Sequence, residues 1–575
     1  MVESNSKIGF QIFAVAIIIV LVNFIGSYKF FRADLTEEKI HSLSPTTINI
    51  LENDSIFTDE LRFEIYLQGD LPPEFRKLQL AIKEKLNEFR AYAGSKIYYE
   101  FIDPAKDESS KTQVYKQLYD FGLRPTLVTT YNGGTKKDML VFGGILIRTP
   151  QNKNIPIQLI PGSIIDPNSH RAIPVSIDRI PVGKSIKDLE YLLLEGVYKA
   201  LSPNRKKIGF VQGHGELTEA QRHDVTVELQ KFHEVENVKI GGNIKALNNF
   251  DAIVIAKPTL PFTEKDKYLI DQFIMNGGKV AWLIDPVKIN LDSLKINQQT
   301  MGLKRDLNDI DQLLFTYGVR LNNDLVIDVD AHKLFLGGKL YKWYYFPLIN
   351  SWRIKHPIMN NLNPIRLQYA STLELLKTPE ITKIPLLVTS EKSVTYKVPV
   401  RVNYQMIGLK EDIVKHNANP NRIIATMLKG KFKSNFKNRL TTHFIKNSPI
   451  KHRDKGIENK MLVISDGDII RAEVDSMKSY KGVMQYMTRN VNYDRYDRSI
   501  IFGNKEFFVN AMEDLMGISD LIPLRSKTIT LRPLNKGKVK KERSFWQAIN
   551  VLVPVLLILF FGLIYNIFRK RRFTK

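Results

Sequence analysis

The chain has 575 residues, 43% hydrophobic and 25% charged, so most of it should fold, and into more than one core; two or three domains are expected. Lys and Arg number 84 against 60 Asp and Glu, a net charge of +24, which suits an anionic partner such as lipid headgroups, acidic glycan or nucleic acid. Cysteine is absent, which excludes thiol nucleophiles, disulfides, Cys-ligated zinc and iron–sulfur clusters.

Residues 8–25, "IGFQIFAVAIIIVLVNFI", carry no charge and approach the roughly 20 residues needed to cross a bilayer. The run is long for a signal-peptide core, and "GSYKFFRADL" after it offers no A-x-A cleavage site, so an uncleaved anchor is expected. Ser44-Pro45 reads as a helix N-cap with proline in the first turn. "LRFEIYLQG" alternates as a strand. In the helix that follows, Phe75, Leu78, Ala81, Ile82, Leu86 and Phe89 form one stripe, and "KIYYEFIDP" is a second strand. This β-α-β unit opens an N-terminal α/β domain over 26–195.

A second α/β domain, 196–330, starts with the strand in "IGFVQGHGEL" (208–217) and continues with alternating helices and strands: "TEAQRHDVTVELQKF", "FDAIVIAKP", "TEKDKYLIDQFIMNGG" and "KVAWLIDP". That alternation predicts a parallel sheet. Residues 331–460 read as a β-rich, basic insertion, with Lys429 to Lys460 strongly basic. The strand "KMLVISDGDII" and the helix "NKEFFVNAMEDLMG", in 461–535, return to complete the central domain. Residues 545–568, "FWQAINVLVPVLLILFFGLIYNIF", form a second membrane candidate with aromatic ends and Pro554 inside. Two crossings put both termini, 1–7 and the basic tail 569–575, on one side. Flanking lysines and arginines are nearly balanced, so charge bias does not decide which side.

The best candidate site is the turn Gly213-His214-Gly215-Glu216 at the end of a buried strand. His214 could serve as a general base oriented by Glu216, but no nucleophile accompanies it. The competing expectation is a fold-defining turn whose glycines are its sensitive positions, with at most a contact role. Asp466 and Asp468, and Asp328 and Asp330, stand at strand ends, where carboxylates can hold a hard cation or simply cap the next turn. No Walker A loop and no G-x-S-x-G elbow occurs. Phe432, Phe436 and Phe444 interleave with lysines in the basic stretch, but no nucleic-acid-binding motif accompanies them, so no nucleic-acid partner is expected.

Several stretches in order, "LQGDLPPEFRKLQLAIKEKLNEFRAYA", "IGFVQGHGEL", "IDQFIMNGGKVAWLID", "LLFTYGVRLN", "LKGKFKSNFKNR", "MLVISDGD" and "LRSKTITLR", resemble the GldG family, gliding-motility ABC transporter components of Bacteroidetes. The resemblance implies a substrate-binding or auxiliary subunit with a large periplasmic region held by two inner-membrane helices. It implies a separate ATPase and a separate permease as partners, and a central domain similar to glutamine amidotransferases, without their cysteine. It carries over no catalytic, metal or cofactor residue. Two other functions stay open: a membrane-tethered hydrolase, disfavoured by the missing nucleophile, and a scaffold for anionic glycan or cell-wall polymer.

Overall fold

The computed structural model describes Ile17, residues 42–522 and residues 536–573. Within 42–522 it omits 55–56, 108, 133–134, 164–173, 178–179, 202–204, 309, 409–418, 438–451, 481–482, 495–500 and 519–521. The apolar run at 8–25, apart from Ile17, and "LRSKTITLR" lie outside the described residues. Two compact units emerge, 1–527 and 528–575.

The N-terminal part of the first unit is built on a β-α-β start. Helix α1 (Pro45–Glu52) is capped by Ser44, whose Oγ accepts from the Thr47 amide at 3.1 Å. Strand β1 (Leu61–Ile65), helix α2 (Pro73–Ala93) and strand β2 (Ile97–Phe101) follow, with β1 and β2 parallel. Phe75, Leu78, Ile82, Leu86 and Phe89 bury one face of α2, as their spacing requires. Helix α3 (Lys111–Asp120) and the hairpin β3 (Thr126–Asn132)–β4 (Thr135–Val141) come next. Strands β5 (Gly144–Arg148) and β6 (Asn154–Gln158) complete a four-stranded sheet in the order β2-β1-β5-β6.

Helix α4 (Leu189–Leu201) leads into the large sheet, whose parallel half is β7 (Lys207–Gln212), β8 (Glu234–Lys239), β9 (Ala252–Ala256), β10 (Lys279–Leu283) and β15 (Lys455–Ile464). Their spatial order is β15-β10-β9-β7-β8, every neighbouring pair parallel. All five residues of β9, Ala-Ile-Val-Ile-Ala, are buried, as they must be in a strand covered on both faces. The covers are α5 (Glu219–Leu229), α6 (Glu264–Met275), α7 (Ile310–Thr316) and α8 (Asn504–Met516). Phe210, Val254, Leu283 and Ile464 face α5 and α8, while Val211, Ile255, Trp282 and Val463 face α6 and α7. Strict alternation of adjacent residues between two cores marks a doubly wound sheet.

Between β10 and β15 the chain makes a long excursion. It supplies β11 (Val319–Leu321), β12 (Leu373–Leu375), β13 (Ile381–Val388) and β14 (Ile423–Lys433), which continue the same sheet beyond β15 in antiparallel pairings. The rest forms a lobe of short antiparallel strands around Trp343, Tyr345, Leu325 and Ile327. The sequence places Phe432 and Phe436 on a basic, solvated insertion. Instead Phe432 lies on β14, both rings are buried, and neither can stack on a base; the lysines alternate outward and supply the basic look. Phe444 lies outside the described residues.

The second unit contains helix α9 (Lys536–Phe573). Its segment Glu542–Phe573 is long and apolar enough to cross a membrane, and no part of it is buried. Its apolar run of 545–568 spans about 36 Å, more than the ~30 Å hydrocarbon layer. Pro554 lies inside the helix, as lipid-embedded helices tolerate.

Candidate functional site

In the parallel half, the connection after β7 leads to one neighbour and the connection after β9 to the other. The carboxyl ends of β7 and β9 therefore flank a topological switch point, where open α/β sheets form their crevices. The turn Gly213–Glu216 follows β7 at this point. Gly213 (φ +126°) and Gly215 (φ +74°) take left-handed conformations, and their backbones are exposed. The carbonyl of His214 accepts from the amides of Thr259 and Leu260, both at 2.8 Å, which ties the turn to the segment after β9.

The side chains of this turn point inward. His214 is 6% exposed and Glu216 8%. The imidazole stacks on Phe262 with centroids 3.9 Å apart. Its Nδ1 lies 3.1 Å from Glu216 Oε1 and its Nε2 3.3 Å from Asp266 Oδ2, while a Glu216 oxygen also accepts from the His214 amide at 2.7 Å. Burial works against the charged ring, but the two carboxylates outweigh it and raise the pKa above the usual histidine value. With both nitrogens engaged by carboxylates, the ring has no nitrogen left to take a proton from a substrate. Glu216 does orient His214, yet what it orients is a clamp joining β7 to α6.

Beside the turn lies a second cluster the sequence revealed only in part. Asp466 and Asp468 follow β15, Asp285 follows β10, and Lys257 follows β9. Ligand oxygens of the three carboxylates lie within 4.8 Å of one another. The Lys257 ammonium contacts Asp468 and lies 3.1 Å from Asp285 Oδ2, and Arg471 Nη1 donates to Asp468 at 3.1 Å. Burial and the neighbouring Asp285 and Asp468 push the Asp466 pKa well above the usual carboxylate value, while its two oxygens accept from the Gln368 and Asp468 amides, both at 2.7 Å. Burial opposes charge on Asp468 as well, but Lys257 and Arg471 hold it below that range. Lys257 and Arg471 thus supply cations to this carboxylate cluster, and the lysine stands where a metal would balance the site. Gly467 is required here: a Cβ would sit 2.8 Å from the Lys257 side chain, and its amide donates to Asp285 at 2.5 Å. Asp328, the other strand-end carboxylate, accepts from the Ser390 amide and hydroxyl and the Asp330 amide, a turn cap.

These strand ends open onto a crevice of about 730 Å³ lined by Lys257, Asp285, Arg305, Tyr369, Asp468 and Arg471. Lys257 (φ +58°) and Tyr369 (φ +52°) adopt left-handed backbones, uncommon for residues of this size and a cost the surrounding fold must sustain. A second hollow of about 550 Å³ shares Leu291, Tyr369 and Arg471 with the first and adds Arg366. Sequence reading missed Lys257 and Arg366. A lysine ending the otherwise apolar "FDAIVIAKP" was the available signal for the first; nothing local marked the second.

A family model described as an ABC-type uncharacterized transport system matches residues 205–511, which takes in the parallel half, the excursion and the crevice. The chain belongs to this family. It is therefore an auxiliary component of an ABC-type transport system, associated with other transporter components and, through α9, with a membrane. A domain of unknown function (DUF7088) matches residues 37–148. A protein of Borreliella burgdorferi, itself described as uncharacterized, is 24% identical over 434 residues, covering 74% of this chain and 77% of its own length. Among solved structures, the mmIFT52 N-terminal domain aligns at 13% identity and a TM-score of 0.31, covering 54% of this chain and 97% of its own. The GH42 β-galactosidase Gan42B aligns at 10% identity and a TM-score of 0.20, covering 58% and 33%. Likenesses at these scores carry no argument.

Proposed function

We propose that this protein is the non-enzymatic, ligand-binding auxiliary subunit of a gliding-motility ABC transporter of the GldG type. In this reading an ATPase and a permease are separate chains, and helices near 8–25 and 545–568 cross the inner membrane. Both termini lie inside and the region between lies in the periplasm. The central domain resembles a glutamine amidotransferase scaffold used for binding. The observation that carries the reading is the crevice at the carboxyl ends of β9, β10 and β15: its lysine, arginines and carboxylates can hold a ligand, but no nucleophile–base pair lies among them. His214 is committed to Glu216 and Asp266, and cysteine is absent. The Gly213–Glu216 turn borders this face as a structural rim.

Protease added to intact spheroplasts should digest the region between the two apolar segments, and the purified chain alone should not hydrolyse ATP. Digestion only after lysis would invert the topology. ATP turnover in a preparation free of any ATPase, abolished by a substitution in this chain, would overturn the auxiliary role.

A further inference from the structure

Arg366 lines the second hollow, and its own neighbours leave its position unexplained. It ends the short strand Ile365–Arg366, and its backbone is fixed on both sides by Asn504: the Arg366 amide donates to Asn504 Oδ1 at 2.9 Å, and Asn504 Nδ2 donates to the Arg366 carbonyl at 2.7 Å. The side chain is thus held from a rigid point at the start of α8. Its guanidinium lies over the Phe502 ring, 4.8 Å from the centroid, and its buried Nε has no hydrogen-bond partner among the described residues. Burial lowers its pKa, and Asp494, Glu473, Asp466 and Asp468 offset this only through space.

A buried arginine Nε without a hydrogen-bond partner is costly, because its desolvation is not repaid. Lys257 shows the contrast. It stands on the adjoining crevice with its charge matched by Asp285 and Asp468. The Arg366 hollow also carries Lys295, Lys333 and Arg471 against Glu473 and Asp494, four cationic side chains to two carboxylates. Tyr369 and Phe346 line its wall, their rings edge-to-face with centroids 5.4 Å apart. Planar, bidentate recognition by arginine selects an oxyanion, and an aromatic wall selects a flat or apolar body attached to it.

We propose that Arg366, with Arg471 beside it, is the recognition site for an oxyanion, a carboxylate or phosphate group, carried on a small ligand or chain end whose body packs against Tyr369 and Phe346. This rests on the reading of the crevice as the chain's ligand face, and names the class of ligand that face takes.

The test is calorimetric titration of the detergent-solubilised full chain with phenyl phosphate, benzoate and the neutral control phenol, beside thermal melts. Phenyl phosphate or benzoate should bind and raise the melting temperature, and phenol should not. Whichever binds more tightly identifies the anion. Arg366→Met should weaken the tighter probe at least 30-fold while melting, without ligand, no lower than the wild type, because a desolvated charge has been removed. Arg366→Lys, which keeps charge but loses the fork, should weaken it about 10-fold and covers the case of a poorly folded methionine variant. Absence of binding by both anions, or equal binding by wild type and Arg366→Lys, overturns the proposal. The titration uses this chain alone, so its result is independent of whether an ATPase and permease associate with it. Binding without such association would sink the transporter role and leave the anion site standing.

Discussion

Replacing His214 by alanine removes a ring that is 6% exposed, stacked on Phe262 and placed between Glu216 and Asp266. Large-to-small changes at buried positions cost about 2–5 kcal/mol, and here two inward-facing carboxylates also lose their partner, so about 3 kcal/mol is expected near pH 6. At roughly 2–4 °C per kcal/mol for a domain of this size, the melting temperature should fall by roughly 6–12 °C. The sign of the pH dependence follows from the raised pKa of His214. A group whose folded pKa is raised contributes fully below its unfolded value, about 6.5, and loses that contribution as pH rises through the folded value. The gap between wild type and His214→Ala should therefore be widest near pH 6 and narrower at pH 8.5. Melts of both proteins at the two pH values, monitored by near-ultraviolet circular dichroism, check this. Equal melting at pH 6, or a gap that widens with pH, would refute the charged clamp.

Gly215→Val should destabilise the protein more than Gly213→Val in urea titrations. Both positions need φ above zero, but a Cβ at Gly215 would also collide with Thr259 Oγ1, whereas Gly213 faces open space. Lys257→Met should cost about 3–5 kcal/mol, because it takes the ammonium from buried Asp285 and leaves Asp468 with Arg471 alone, and adding Asp468→Asn should recover part of that loss in the same urea titrations. A double variant less stable than Lys257→Met would contradict the pairing.

The β-α-β start, the parallel strands and the α2 stripe were legible because each is a local pattern: apolar periodicity, a capping residue, a glycine stop. The return of "MLVISDGD" to the sheet after the excursion could also be anticipated, since a continuous apolar run demands two covered faces. The place of β14 was not. Its residues Ile423–Lys433 mix lysines with apolar residues, and only pairing with β13 and β15 distinguishes a sheet strand from a basic loop. The turn at Gly213–Glu216 stood out in the sequence, but the direction of His214 did not. That direction depends on Asp266 and Phe262, some 50 residues away in sequence, and it converts an apparently exposed contact residue into a buried one. Arg366 was invisible for the same reason: its meaning lies in Asn504, Phe502 and a hollow assembled from distant segments.

The transporter role is tested most directly by affinity purification of the full chain from native membranes under mild detergent, with the co-purifying proteins identified and ATP hydrolysis measured. An ABC ATPase and a permease should co-purify in stable stoichiometry, with hydrolysis abolished by a Walker A substitution in the ATPase. Recovery of this chain without either protein, under conditions that keep other membrane complexes intact, would contradict the role.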